Sequence, residues 1–182
     1  IISGFAVEGP LGGIERFGIE LTKKLDSTVV EPILCGMWAY GTAYEYQWVE
    51  HLEKCGVRAF IAGRWQEQSP YRSFWRVYKA LPRYVDRVDI IHSHCQFGDV
   101  LALMMKKQLG ANFLVRTVHN EREWGKRPFR RYFLTNMIYP FKFDLEIGVA
   151  QQVVKNLNQR PVARIQRKKA VKSYNAINFG RF

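Results

Sequence analysis

Short apolar, β-branched stretches alternate with amphipathic ones along the whole chain, and this alternation most constrains the fold. Strand character falls at residues 1–6, 29–37, 57–61, 89–94, 112–119, 144–149 and 170–174. Helical spacing of apolar residues falls at 14–25, 44–55, 73–84, 99–109, 129–139 and 150–158. Tyr44, Trp48, Val49 and Leu52 share one helix face, as do Phe74, Val77, Tyr78 and Leu81. Leu101, Met104 and Met105 point the next helix inward. Gly56, Gly63 and Gly110 punctuate the pattern, and Pro82 disturbs the last turn of 73–84. Residues 159–169 read as a basic loop. Strands separated by helices pair in parallel, because a parallel neighbour needs a crossover. The expected fold class is α/β: a Rossmann-like, doubly wound, mostly parallel sheet with helices on both faces. Residues 1–174 are expected to form one domain and 175–182 the start of a connection.

Ligands of such sheets bind at the carboxyl ends of the strands. Polar clusters fall at those ends: Gly12-Gly13, residues 92–96, residues 119–121, and Asn175. Gly12 and Gly13 follow the first strand and open a helix. Lacking Cβ, they permit positive φ and close approach of another group. The amides of Gly13 and Ile14 at a helix N-terminus suit an anion. A phosphate-cradling loop and a plain βα turn both fit that pattern.

His119 ends an apolar strand and is followed by Asn120 and Glu121. There it can hydrogen-bond a sugar hydroxyl or phosphate, or simply a backbone carbonyl. His92 and His94 share one face of a strand, with Cys95 beside them. A metal site needs three or four ligands, and no second cluster stands at motif spacing, so no metal is expected. No GxSxG or P-loop lysine is present, which argues against an esterase and a P-loop nucleotidase. Gly9, Gly12 and Gly13 have the wrong spacing for a dinucleotide fingerprint.

The net charge of +12 calls for an anionic partner: nucleic acid, an acidic membrane surface or phosphorylated ligands. Arg122, Lys126, Arg127, Arg130 and Arg131 surround Trp124, Phe129, Tyr132 and Phe133. Three readings fit that cluster: a nucleic-acid face, an amphipathic element on an anionic bilayer, and a solvated basic face over a core-facing aromatic stripe. Trp65, Trp75 and Trp124 fit either interface anchors or core. No apolar run reaches the roughly 18 residues of a membrane span. Cys35, Cys55 and Cys95 are odd in number without CxxC spacing, and read as reduced thiols of a cytoplasmic protein. The chain opens on strand-like residues without a basic leader, and a few residues are expected upstream of Ile1.

Several segments together resemble one family, the group 1 glycosyltransferases (glycosyltransferase family 4). Gly12-Gly13-Ile14-Glu15-Arg16 resembles their Gly-Gly loop, and Asp89-Ile90-Ile91-His92-Ser93-His94 their D-(V/I)-(V/I)-H-x-H strand. Thr117-Val118-His119-Asn120 is similar to their T-x-H segment and to the TVHN of glycogen synthases. Residues 144–154 resemble the strand and helix before the domain link, and residues 174–182 resemble the hinge N-G-(I/V)-D-x-x-R-F, with Ala176 and Asn178 departing from it. The resemblance implies the N-terminal, acceptor-side half of a GT-B fold, with a donor domain beyond this chain. It implies a hexosyltransferase that moves a sugar from a nucleotide sugar to an acceptor hydroxyl with retention, in cell-envelope or extracellular polysaccharide or glycolipid synthesis. The chain alone is expected to be inactive. On that resemblance His119 is the catalytic contact, and Gly12 and Gly13 approach the donor diphosphate. His94, Asn120, Glu121, Arg122 and Lys126 then contact acceptor or sugar. No cofactor or essential metal is implied. The expected partners are the nucleotide sugar and a sugar, lipid-linked or phosphorylated acceptor, with an anionic membrane surface open as a third. The expected location is cytoplasmic, with peripheral attachment to the inner membrane face left open. The competing reading is a free-standing basic nucleic-acid-binding α/β module, for which no RRM, KH or helix-turn-helix signature is present.

Overall fold

The computed structural model describes residues 1–5, 12–124 and 128–173. Contacts divide the chain into two compact units, one over Ile1–Asp86 and one over Arg87–Asn175. Both carry parallel strands flanked by helices, the α/β Rossmann-like arrangement that the alternation predicts.

In the first unit, helix α1 (Gly13–Lys24) precedes strand β1 (Ile33–Ala39), helix α2 (Glu45–Lys54), strand β2 (Arg58–Arg64) and helix α3 (Pro70–Ala80). β1 and β2 pair in parallel, Leu34 opposite Ala59. Ile2 joins β1 through a single parallel bridge to Gly36, so only part of the expected first strand is paired. Ile2, Phe5, Ile19, Leu34, Leu52, Val57 and Ala59 form the buried cluster, drawn from strands and both flanking helices. The Glu45 carboxylate accepts the N–H groups of Tyr40, Gly41 and Thr42 at 2.6, 3.0 and 3.1 Å, which ties the end of β1 to the start of α2.

Within this unit three boundaries differ from expectation, each for a local reason. β1 starts at Ile33 because Asp26 closes a turn: its carboxylate accepts Thr28 N–H, and its carbonyl accepts Val29 and Val30 N–H. β2 runs through Gly63. A Cβ there would stand 2.8 Å from Val77 Cγ2, so this glycine admits α3 against the strand and does not end it. α3 begins early, at Pro70, a first-turn position where the missing N–H costs nothing. Pro82 falls, as expected, in the 3₁₀ turn Leu81–Arg83 that ends it.

In the second unit, strands β3 (Ile90–Ser93), β4 (Phe113–Val118), β5 (Leu145–Gly148) and β6 (Val171–Lys172) form one parallel sheet in that order. Helix α4 (Gln96–Met105) links β3 to β4. A continuous helical stretch links β4 to β5: α5 (Pro128–Arg130), a π-helical segment (Arg131–Ile138) and α6 (Tyr139–Lys142). Helices α7 (Gln151–Gln159) and α8 (Pro161–Ile165) link β5 to β6. α8 stands where a basic loop was expected. Pro161 opens it, and Val162 and Ala163 are buried, so local burial outweighs the basic composition around it. Leu101, Met105, Leu114, Tyr139, Phe143 and Leu157 are among the buried side chains of this unit. Lys126, Asn175 and the hinge-like residues 174–182 lie outside the described residues.

Gly148 has no spare room. A Cβ there would meet Val154 Cγ2 at 2.8 Å and Val154 N at 3.0 Å, and the second contact is backbone. Gly148→Ala should therefore destabilise the fold by about 1–3 kcal/mol. Urea denaturation reads this, and an unchanged midpoint would refute the close packing of α7 on β5.

Candidate functional site

β3 and β4 run parallel and end at the same edge of the sheet, so the residues just past them are neighbours. That edge brings three histidines together. His92 Nε2 and Thr117 Oγ1 share a hydrogen bond of 2.8 Å across the two strands. The rings of His92 and His94 lie 4.2 Å apart, and those of His94 and His119 5.9 Å apart. His94 is buried, and His92 and His119 are partly buried.

Burial disfavours the charged imidazolium and sets their state. It lowers the pKa of His92 to about 3 and that of His119 to about 4, with His119 adding charge repulsion at His92. His94 is held well below its ordinary value by burial and then by His92. At neutral pH all three are neutral rings, each able to donate one hydrogen bond and accept another. A group with a pKa near 4 is a weak base at neutral pH, so the cluster suits hydrogen bonding to hydroxyls better than proton abstraction.

Beneath this edge lies a charged cluster that sequence reading did not single out. Arg116, in the middle of β4, is buried. Its guanidinium meets Asp99 at 3.3 Å, Glu146 at 3.5 Å, and Glu123 in a direct ion pair. It also lies over the Tyr139 ring, 4.3 Å from the centroid. Arg160 pairs with the same Glu146 and donates to the Thr135 and Leu157 carbonyls. Ser93 Oγ donates to Asp99 at 2.5 Å. Burial pushes Asp99 up to about 7, against the pull of Arg116. The sequence carried part of the signal, since Arg116 and Glu146 are charged residues inside apolar strands; that they stand directly opposite in the β4–β5 register is seen only in the structure.

The cluster reaches the loop after β4. Glu123 and Trp124 are buried, and Trp124 takes φ +59° with its ring against Phe97, centroids 5.7 Å apart. The loop is thus held at both ends, at the strand by His119 and at the cluster by Glu123. Asn120, Glu121 and Arg122 lie between, with Glu121 and Arg122 exposed. Cys95 caps α4, its Sγ accepting Gly98 N–H at 3.3 Å. Among the described residues no three His, Cys, Asp or Glu side chains are grouped to hold a metal ion.

Gly12 and Gly13 belong to the first unit. Gly12 is the N-cap of α1 with φ −81°, and Gly13 is its first helical residue, so positive φ is not what the pair supplies. What remains is room: among the described residues nothing lies within 4 Å of a Cβ built on Gly13. Gly12 makes no side-chain cap, and its carbonyl accepts Arg16 N–H at 3.0 Å; the first N–H groups of a helix have no partner within it.

Residues 11–179 match the family model described as Glycosyltransferase Family 4. No curated protein matches the chain.

The histidines and Asp99 give stability opposite dependences on pH. A histidine with a lowered folded pKa contributes fully above its unfolded value near 6.5 and loses that contribution as pH falls below it, roughly 1–2 kcal/mol by pH 5 for each of His92 and His119. Asp99, raised to about 7, is disfavoured at and above neutral pH and gains as pH falls. Three histidines outweigh one aspartate, so the urea midpoint should drop between pH 7 and pH 5. The drop should be steeper in Asp99→Asn, which removes the opposing group. An equal drop in both proteins would mean that Asp99 stays ionised down to pH 5.

Proposed function

The chain belongs to Glycosyltransferase Family 4, and on that premise we propose that it supplies the acceptor side of a sugar transfer from a nucleotide sugar to an acceptor hydroxyl. The observation that carries this reading is the neutral histidine cluster at the carboxyl edge of the second unit's sheet, beside a loop pinned by Glu123. Neutral imidazoles bind hydroxyls without imposing charge. His119 hydrogen-bonds the transferred hexose or the acceptor at the reacting centre, and His94 supports its ring from behind. Asn120, Glu121 and Arg122 contact the acceptor, as does Lys126, which follows them closely in sequence. The weak basicity of His119 accords with a retaining transfer in which the leaving phosphate takes the acceptor proton.

Gly12 and Gly13 take the donor diphosphate. The first turn of α1 offers N–H donors and the positive end of a helix dipole, and among the described residues nothing crowds Gly13, which favours close approach. These amides oppose the charge that grows on the leaving phosphate. The reaction needs no cofactor and no essential metal. The acceptor is a sugar, lipid-linked or phosphorylated molecule of envelope or extracellular glycan synthesis, handled at the cytoplasmic face. No helix among the described residues is long and apolar enough to cross a membrane.

The test is sugar transfer measured in the full-length enzyme. His119→Ala should lower kcat/KM by about 10²-fold or more, the usual cost of one hydrogen bond made at the reacting centre. Its thermal midpoint should stay close to that of the wild type. Activity of the wild type should not fall between pH 8 and pH 6 through protonation of His119, since that imidazole titrates near 4. Gly12→Val should also abolish transfer. Retained activity in both variants would remove the site from the chemistry.

A further inference from the structure

The second unit is strongly one-signed at its surface. Residues 87–175 hold seventeen Lys and Arg against six Asp and Glu, a net +11 of the chain's +12. Three of those six acids, Asp99, Glu123 and Glu146, are buried with Arg116 and Arg160. Outside that cluster fifteen cationic residues stand against three acidic ones, and one of the three, Asp144, is tied to Lys106 at 3.3 Å. The interior consumes the acids that would otherwise balance the surface.

On this basic unit one helical turn exposes aromatic rings. Phe129 is 80% exposed, Tyr132 62% and Phe133 49%. The sequence left room for a core-facing aromatic stripe, but only Trp124 of that group is buried. The Phe129 and Phe133 rings stack on each other, 6.2 Å apart and 3° from parallel. Paired this way they form one apolar patch, whereas single-stranded nucleic acid needs separate ring faces on which bases stack. The turn is anchored beneath: the Arg130 guanidinium lies 6.0 Å from the Trp124 ring centroid, and Trp124 packs on Phe97. Arg122 and Lys142 are exposed on either side of it in the chain, and Lys126, Arg127 and Arg131 are its neighbours in sequence. Exposed aromatics on a helix set among cations are the composition of an interfacial membrane contact, in which rings enter the headgroup–acyl boundary and cations meet anionic headgroups.

We propose that Phe129, Tyr132 and Phe133 dock this basic unit on an anionic lipid bilayer. Docking there sets residues 120–122 near the bilayer surface, where a lipid-linked acceptor would present its headgroup. The surface does not depend on the sugar-transfer reading, because lipid binding is measured without donor or acceptor.

The experiment is flotation of the protein with vesicles of phosphatidylcholine alone or of phosphatidylcholine with phosphatidylglycerol. The protein should float with the anionic vesicles only, and added salt should weaken binding. The Phe129→Ser/Tyr132→Ser/Phe133→Ser protein should bind at least roughly tenfold more weakly, since it loses three apolar side chains from the boundary. Its circular dichroism melt should be unaltered, because all three residues are exposed. Replacing the same three residues with Trp should retain binding. Absence of binding to anionic vesicles would overturn the proposal, as would equal binding by the triple Ser protein. So would tighter binding to single-stranded RNA than to anionic vesicles at the same salt.

Discussion

A buried guanidinium governs the second unit. Arg116 sits in the middle of a central strand, and a charge taken out of water that far is tolerated only if it is paired and hydrogen-bonded. Its partners come from separate elements: Asp99 from α4, Glu123 from the loop after β4, and Glu146 from β5 directly opposite. Tyr139, from the helix between β4 and β5, covers its face. Removing any one partner leaves the others with unbalanced buried charge, so these elements are bound to one arrangement.

That arrangement shapes the site. It fixes the loop after β4, because Glu123 is drawn inward while His119 is fixed by the strand, and the exposed residues between them form a short arch. The histidines lie at the same end of β3 and β4, with His94 buried and His92 and His119 partly buried. With His94 4.2 Å from His92 and 5.9 Å from His119, burial favours the neutral rings. The charged cluster also shapes the outside. With three of its six acids inside, the unit presents a basic surface, and the exposed rings at Phe129 and Phe133 lie on it. One interior decision thus sets loop geometry and surface sign together.

Much of the fold was legible because hydrophobic periodicity is a local property. α1, α2, α4 and α7 lie within a few residues of their sequence readings, and so do β3, β4 and β5. The misread boundaries turn on contacts that periodicity does not carry. Gly63 looks like a terminator in sequence, and only the approach of Val77 shows why a glycine stands inside a strand. Residues 161–165 look like a basic loop, and only the burial of Val162 and Ala163 makes them a helix. His94 and His119 were legible as neighbours because parallel strands bring their ends to one edge. The charged cluster was not, because nothing in the chain announces that Arg116 and Glu146, thirty residues apart, share a register.

The sequence by itself determined the α/β alternation, the parallel pairing, the family and the polar residues at the strand ends, since each follows from spacing along the chain. Only the tertiary structure decided which charges are buried, which histidines are neutral and which aromatics face water. Those properties depend on what surrounds a side chain, and the surroundings come from segments far apart in sequence.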